Sequence, residues 1–534
     1  MGKSGRVEMV NTSTQLARHI TRNLIENGVM EVVLSPGSRN APLSIALYAA
    51  ERKGLITLHV RIDERTGAFF ALGIAKASGR PVAVICTSGT AVANYHPAIL
   101  EAHHSQVPLL VITADRPERL RQTGANQTTL QAKIYGESVA LAEDISNPEH
   151  DLREAFDALL RGPVHLNVQF DEPLLPDDDD DWLVDVVRGE AAKPRPAKLR
   201  ELAINESRGV IVVGHDRGGL DARAIVELAE SIGWPLVAED PLSFAMTVPH
   251  ASLFLTAKKI REALTPDVAI VIGRTTLSRS LNALVKSAGR EIVIDPRVAT
   301  IDINRNADQI FLDIPSVRYS GEIDDEWVGL WDTYSRETAT LLDSLPEWFE
   351  GSIARSFARL LPSQSTLFIS SSRPIRDLEG FAAARNDIET FANRGLAGID
   401  GNISTALGIA SARSATMAII GDLSFLHDLT GLIGADAVNL RIFVINNDGG
   451  GIFSTLPQHN AEGFEKIFGT PHGLDPALIA ASMGIKAKTI ASVDELQVEM
   501  LEPVIGLSVV VLPVPTRQEN ADFLLGLYQA IETI

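Results

Sequence analysis

With 534 residues, 48 of them basic and 68 acidic, the chain is too long for one hydrophobic core and carries a formal net charge of −20. Length alone predicts about three or four domains. The acidic balance argues against nucleic acid or an anionic membrane as partner, because both require a basic surface.

One cysteine, Cys86, is present. A disulfide framework within the chain is therefore ruled out, which suits a reducing cytosol. Cys86 follows the apolar run Val82–Ile85 and reads as a core residue, not a nucleophile. No uninterrupted apolar run approaches membrane-spanning length, so no membrane insertion is expected. The first residues, MGKSGRVEMV, lack the apolar segment of a signal peptide. They begin Met-Gly, but position 6 is Arg6, which argues against myristoylation. A cytoplasmic protein is expected.

Thr12-Ser13-Thr14-Gln15 reads as a capping box opening a helix, with Leu16, Ile20 and Leu24 on one face and Gly28 as its stop. A strand at Glu31–Leu34 runs into the loop Ser35-Pro36-Gly37-Ser38-Arg39-Asn40. Further strands are predicted at Leu58–Ile62, Val82–Cys86, Leu109–Thr113 and Val164–Val168, alternating with helical segments. This is doubly wound α/β patterning. Glu64 stands between a strand and an Ala/Gly-rich helix, where a glutamate is ordinarily a surface charge matched to the helix dipole. The pair His103-His104 has no metal-type partners and reads as structural.

The first domain closes near Pro176 and is followed by five aspartates, Asp177–Asp181, and by Ala191-Ala192-Lys193-Pro194-Arg195-Pro196. Adjacent carboxylates cannot converge on one ion as a folded loop can, so a solvated linker is the preferred reading over a metal tract. A second α/β unit is predicted from strands at Gly209–Gly214, Pro235–Ala238, Val268–Gly273 and Glu291–Asp295. No GxGxxG follows Val213, so a structural domain is preferred over a bound FAD or NAD. The expected boundaries are residues 1–186, 187–345 and 346–534.

The third unit starts near Trp348 and holds the most informative stretch, Thr416–Phe453. Two apolar runs, Met417–Ile420 and Ile442–Ile445, flank a helix-like segment and read as a βαβ unit. They end in Gly421-Asp422 and Asn446-Asn447-Asp448-Gly449. Ligands of such sheets bind at the carboxyl ends of the strands. Hard oxygen donors there suit Mg²⁺ shared with phosphate and water. The same residues also suit two ordinary turns.

Gly421-Asp422 with Asn446-Asn447 resembles the metal and diphosphate motif of thiamine-diphosphate (ThDP) enzymes, although the third position is Leu423 where that family usually has Gly or Ser. The resemblance implies three doubly wound parallel-sheet α/β domains. It further implies ThDP and Mg²⁺ (or Mn²⁺) as cofactors, and Asp422, Asn447 and the Gly449 carbonyl as metal ligands. By the same resemblance Glu64 hydrogen-bonds the cofactor's pyrimidine N1′, and Ile399 props ThDP in its bent form. Ile452, Phe453 and Leu456 would wall the pocket. Within those enzymes a group of motifs is similar to the SEPHCHC synthases (2-succinyl-5-enolpyruvyl-6-hydroxy-3-cyclohexene-1-carboxylate synthases). They are Ser35–Leu43, Arg61–Arg65, Thr87–Asn94, Ala114–Pro117, Thr123–Gln127, Asn393–Gly401 and Gly449–Ser454. That family joins 2-oxoglutarate to isochorismate with loss of CO₂, in menaquinone biosynthesis.

The resemblance implies a transferase that must hold two dicarboxylates on an acidic chain, which calls for local arginines. Arg39, Arg116, Arg376 and Arg394 stand at motif positions beside Ser38, Gln127 and Ser372, and Arg279 is the suspected basic residue of the middle domain. A homo-oligomer is implied, a dimer at least, with a dimer of dimers the larger alternative. Two rivals remain at this point. Another ThDP-dependent 2-oxo acid carboligase or decarboxylase of the acetolactate synthase type would want a smaller donor and fewer arginines. A non-catalytic relative would have lost Glu64, Asp422 or Asn447, and all three are present.

Overall fold

The computed structural model describes residues 11–178, 180–193, 200–297, 302, 305–435 and 438–534. The readings of MGKSGRVEMV and of Pro194-Arg195-Pro196 lie outside those residues. The chain forms two compact units. The first comprises Met1–Pro194 with Ile403–Ala412 and Asp428–Ala435, and the second comprises Arg195–Asn402, Arg413–His427 and Asp436–Ile534.

The first unit is built on six parallel strands. Their spatial order is Thr57–Val60, Glu31–Leu34, Val82–Cys86, Leu109–Asp115, Val164–Gln169, Leu141–Ile145. The central strands read as continuous apolar runs because helices cover both faces; every residue of Val82–Cys86 and of Leu109–Asp115 is buried. Cys86 lies in that core. The strand Leu141–Ile145, with its Glu143-Asp144, lacks the apolar run that betrayed its neighbours.

The opening helix spans Thr12–Glu26, and Leu16, Ile20 and Leu24 are buried as expected. Its cap is not the Thr12 box but Asn11, whose Oδ1 accepts from Thr14 N at 3.1 Å. Asparagine one position upstream reaches the orphan donor first. The helix Glu64–Ser78 crosses residues 403–412 at backbone contact. A Cβ on Gly73 would stand 2.1 Å from the Thr405 carbonyl, and one on Gly408 would stand 2.1 Å from that of Phe70. In the linker, Asp178 pairs with Arg18 at 2.5 Å and Asp181 with Lys53, so the acidic run is tied to the surface by ion pairs.

The second unit holds two further parallel sheets and a two-stranded parallel pair, Glu201–Ile204 with Ser316–Tyr319. One sheet runs Gln309–Phe311, Arg290–Ile294, Val268–Ile272, Gly209–Val213, Leu236–Ala238. The other runs Glu389–Phe391, Thr366–Ile369, Thr416–Gly421, Leu440–Asn446, Leu507–Pro513, Lys486–Thr489. The predicted βαβ unit is present: Thr416–Gly421 and Leu440–Asn446 are adjacent parallel strands, joined through a short helix Asp422–His427. In all three large sheets the second strand in sequence lies outside the first and the third lies inside it, so each carries a switch point beside its first strand. Among the described residues no helix is long and apolar enough to cross a membrane.

Candidate active site

In the first unit the switch point lies between Glu31–Leu34 and Val82–Cys86. The loop leaving the first strand folds back against the second so closely that a Cβ on Gly37 would stand 2.3 Å from the Thr87 Cβ. Asn40 closes the loop by donating to the Ser35 carbonyl at 2.9 Å, and Ser38 is left exposed. Arg39 donates to the Phe170 carbonyl at 3.0 Å and stands 3.6 Å from the Glu172 carboxylate. Arg116, just past Leu109–Asp115, donates through Nη1 to Ser88 Oγ (2.6 Å) and to the Gln127 carbonyl (2.9 Å). Its pKa is lowered, first by burial and then by the charge of Arg39. Two guanidiniums close enough to repel make a place that favours an anion. The structure thus gathers Arg39, Arg116 and Gln127 around one sheet edge.

Glu64 is the first residue of Glu64–Ser78, capped by Asp63, whose Oδ1 accepts from Arg65 N at 3.0 Å. Half-buried, it accepts from Asn94 Nδ2 at 3.1 Å. Its neighbour Arg61 is buried, with its guanidinium 4.2 Å from the Phe70 ring and donating to the Ile433 carbonyl at 2.9 Å. These contacts fix the strand-to-helix turn that presents Glu64.

The C-terminal sheet of the second unit shows the larger construction. A cavity opens at the carboxyl ends of Thr366–Ile369, Thr416–Gly421 and Leu440–Asn446. That is the switch-point crevice where such sheets bind ligands. Its lining brings together Ser372, Ile399, Asp422, Asn447, Gly449, Ile452 and Phe453. Asp422 opens its helix and is buried, so desolvation pushes its carboxyl above the ordinary range. Hydrogen bonds from Gly449 N (2.9 Å) and Leu423 N (2.7 Å) and contact with His472 Nε2 (3.2 Å) oppose that shift. Asn447 donates through Nδ2 to Glu350 Oε1 at 2.5 Å, while its Oδ1 is buried with no hydrogen-bond partner. Gly449 has φ +137°, and a Cβ there would stand 2.1 Å from the Gly469 carbonyl, so no other residue fits the turn. Its carbonyl accepts from Gly451 N at 3.0 Å, which leaves one lone pair.

Ile399 is held from behind: its carbonyl accepts from Ser424 Oγ at 3.0 Å, and that hydroxyl accepts from Asn402 Nδ2 at 2.9 Å. Ser372 sits at φ +77°, a strained backbone for a non-glycine residue, at the start of the helix Arg373–Phe381. Strain of this kind persists where the surroundings over-determine it, characteristically at functional sites.

A second cavity shares Arg373, Asp377 and Ile452 with the first, and Arg279, Arg376 and Leu456 line it. Arg376 donates to the Ser372 carbonyl at 2.9 Å, and burial lowers its pKa. Arg394 lines neither cavity. It is buried, and it donates through Nη2 (2.7 Å) and Nε (3.2 Å) to Thr276 Oγ1, in the loop that follows Val268–Ile272. Glu239 in turn accepts from the backbone of Thr276 and Leu277, each at 2.7 Å, with burial raising its pKa.

Sequence reasoning missed Asn94, Glu350, His472 and Thr276. Asn94 was visible as the last residue of the Thr87–Asn94 motif. Glu350 and His472 lie far from the motifs they touch, and nothing in their local pattern marks them. His103 and His104 make an edge-on ring contact at 5.1 Å.

Comparison with known proteins gives the family of the chain. Residues 14–134 match the family described as "Thiamine pyrophosphate enzyme, N-terminal TPP binding domain", thiamine pyrophosphate being another name for ThDP. Residues 180–369 match "Middle domain of thiamine pyrophosphate", and residues 380–511 match "Thiamine pyrophosphate enzyme, C-terminal TPP binding domain". The 2-succinyl-5-enolpyruvyl-6-hydroxy-3-cyclohexene-1-carboxylate synthase of a Nocardioides species is 41% identical, over 93% of this chain and 94% of that protein. Proteins of the same name are 40% identical in Thermobifida fusca (89% of this chain, 91% of that protein) and 36% identical in Bacillus cytotoxicus (92% of each). A crystal structure of benzoylformate decarboxylase from Polynucleobacter necessarius superposes with a TM-score of 0.66 over 95% of this chain and 99% of that one. At 16% identity the likeness is one of fold.

Proposed function

Because the chain belongs to the SEPHCHC synthase family of ThDP enzymes, we propose that it decarboxylates 2-oxoglutarate and adds the resulting carbon nucleophile to isochorismate, a transferase step of menaquinone biosynthesis. The observation that carries this reading beyond a generic ThDP enzyme is the supply of arginines. Arg39 and Arg116 share one sheet edge, and Arg376 and Arg279 line a cavity next to the one bearing Asp422 and Asn447. Dicarboxylate substrates need such forks on a chain of net charge −20. An acetolactate-type enzyme does not.

ThDP supplies the electron sink for the decarboxylation. Asp422, Asn447 Oδ1 and the Gly449 carbonyl are the residues to hold Mg²⁺ or Mn²⁺ against its diphosphate. The donor set fits a hard cation: one desolvated carboxylate, one unpartnered buried amide oxygen and one peptide carbonyl with a free lone pair. Among the described residues no group of three or more His, Cys, Asp and Glu could hold a metal ion by itself, so the metal would rely on diphosphate oxygens for much of its charge balance. Ile399 props the cofactor, Ile452, Phe453 and Leu456 exclude water around it, and Ser38 contacts it from the first domain. Glu64 holds or yields a proton at the pyrimidine N1′. Arg39, Arg116, Gln127, Ser372, Arg376 and Arg394, with Arg279, orient the substrate carboxylates.

The domain limits of this reading are residues 1–186, 187–345 and 346–534. The working form is a homo-oligomer of at least two chains in the cytoplasm, and light scattering on the purified protein should return twice the chain mass of 57.6 kDa or a larger multiple. Arg376→Ala and Arg394→Ala should each weaken kcat/KM for a dicarboxylate substrate by about 2–5 kcal/mol while leaving ThDP binding unchanged. Steady-state kinetics with each substrate varied in turn is the check, and parental values for both substrates in both variants would make these arginines structural.

A further inference from the structure

Glu350 belongs to no motif that marks the cofactor site, yet it is buried beside Asn447 and lines the same cavity. It opens the helix Glu350–Leu360, and its backbone N–H donates to Asn520 Oδ1 at 2.9 Å, which fixes the start of that helix against the C-terminal one. One carboxylate oxygen accepts from Asn447 Nδ2 at 2.5 Å. The other stands 3.3 Å from Arg373 Nε, and Arg373 also pairs with Asp377. All three of these partners are buried or nearly so.

The chemistry of this contact decides which way the asparagine amide faces. A carboxylate only accepts hydrogen bonds, whereas an amide has one donating and one accepting end. Glu350 therefore takes the NH₂ end, and the carbonyl end of Asn447 must turn the other way. The observed state matches: Oδ1 is buried and has no partner. Packing enforces the arrangement, because a Cβ on Gly451 would stand 2.4 Å from Asn447 Nδ2 and 3.4 Å from Glu350 Oε1. The third glycine of Gly449-Gly450-Gly451 is thereby explained as room for this pair. Arg373 sets a positive charge beside the second carboxylate oxygen and so braces Glu350 in place.

We infer that Glu350, braced by Arg373, is a positioning residue that orients the Asn447 amide so that its oxygen faces the metal carrying the ThDP diphosphate. The inference rests on the metal-site reading above. Partners of this kind, one step removed from a metal, set ligand orientation and typically contribute roughly 10- to 100-fold in metal affinity.

The test is calorimetric titration of ThDP in the presence of Mg²⁺, with four variants of the full-length protein. Glu350→Gln should weaken Mg²⁺-dependent ThDP binding by roughly 10- to 100-fold, because Gln can present its own NH₂ to Asn447. Asn447→Asp should weaken it as well, by setting two carboxylates against each other. The pair Glu350→Gln with Asn447→Asp restores a donor facing an acceptor, now reversed, and should bind more tightly than either single variant. Asp422→Ala serves as the reference for the metal site itself. If Asp422→Ala loses binding while Glu350→Gln binds like the parent, the orienting role is wrong and the metal site stands. If Asp422→Ala also binds like the parent, the metal site is wrong. A double variant no better than the weaker single one overturns the donor–acceptor argument, since loss of packing alone would not be repaired by reversing polarity.

Discussion

Replacing Asp422 by alanine is expected to lower ThDP affinity by more than roughly 100-fold, which at ordinary concentrations empties the site. Asp422 is the only carboxylate proposed to ligate the metal; the other two donors, an amide and a peptide carbonyl, are neutral. Removing it leaves the diphosphate's charge facing the sheet edge with little compensation. The same carboxylate also accepts from Gly449 N at 2.9 Å, so its loss frees the glycine turn that presents the carbonyl donor. Both effects act in one direction. Calorimetry with ThDP and Mg²⁺ is the measurement, and unchanged binding of both would remove Asp422 from the metal site. Asp422→Asn separates the two effects: it can keep an acceptor for Gly449 N while losing the charge, so an intermediate affinity is expected.

The second large effect falls on chemistry rather than binding. Glu64→Gln should leave ThDP affinity within a few-fold of the parent and reduce kcat by roughly 10²- to 10⁴-fold, the usual contribution of a positioned proton-transfer group. Glutamine retains an acceptor for Asn94 Nδ2, so the turn capped by Asp63 should survive. What it cannot do is share a proton with the pyrimidine N1′. Deuterium exchange at the thiazolium C2 reads that step directly. Exchange in the variant as fast as in the parent protein would mean that Glu64 is one more surface charge at a helix start, as its local sequence alone suggests.

Much of the fold could be read from periodicity because the inner strands are buried on both faces. Val82–Cys86, Val268–Ile272 and the Ile442–Ile445 part of Leu440–Asn446 are apolar runs closed by turn residues, and each strand lies inside its sheet. The peripheral strands were harder. Leu141–Ile145 and Lys486–Thr489 sit at sheet edges with polar residues on an open side, so neither alternation nor a continuous run marks them. The motif positions of Asp422 and Asn447 were legible because each directly follows a strand, and that of Ile399 because its motif leads into the helix Asn402–Ala412. Glu350 was not, because its role comes from a contact 97 positions away in sequence, with Asn447. Arg394 shows the opposite limit. Its motif position is plain, but its burial against Thr276, in the loop after Val268–Ile272, could come only from tertiary structure.

That middle sheet keeps the doubly wound order and yet fills its own crevice. At the carboxyl ends of its strands, Asp216 pairs with Arg274 (3.2 Å) and Arg297 (2.7 Å), and Arg297 pairs with Asp295 (2.9 Å). Glu239 there accepts from His215 N at 3.1 Å as well as from Thr276 and Leu277. Carboxylates of the chain thus occupy backbone donors of the kind that hold phosphate in nucleotide-binding sheets.

The chain pairs 2-oxoglutarate as donor with isochorismate as acceptor. The direct measurement is CO₂ release from 2-oxoglutarate by the ThDP- and Mg²⁺-loaded protein, with and without isochorismate, together with the mass of the product. Rapid release that depends on isochorismate is expected, with an adduct whose mass equals the two substrates less CO₂. Release from pyruvate with acetolactate as product, and none from 2-oxoglutarate, would contradict it and return the chain to the acetolactate-type alternative.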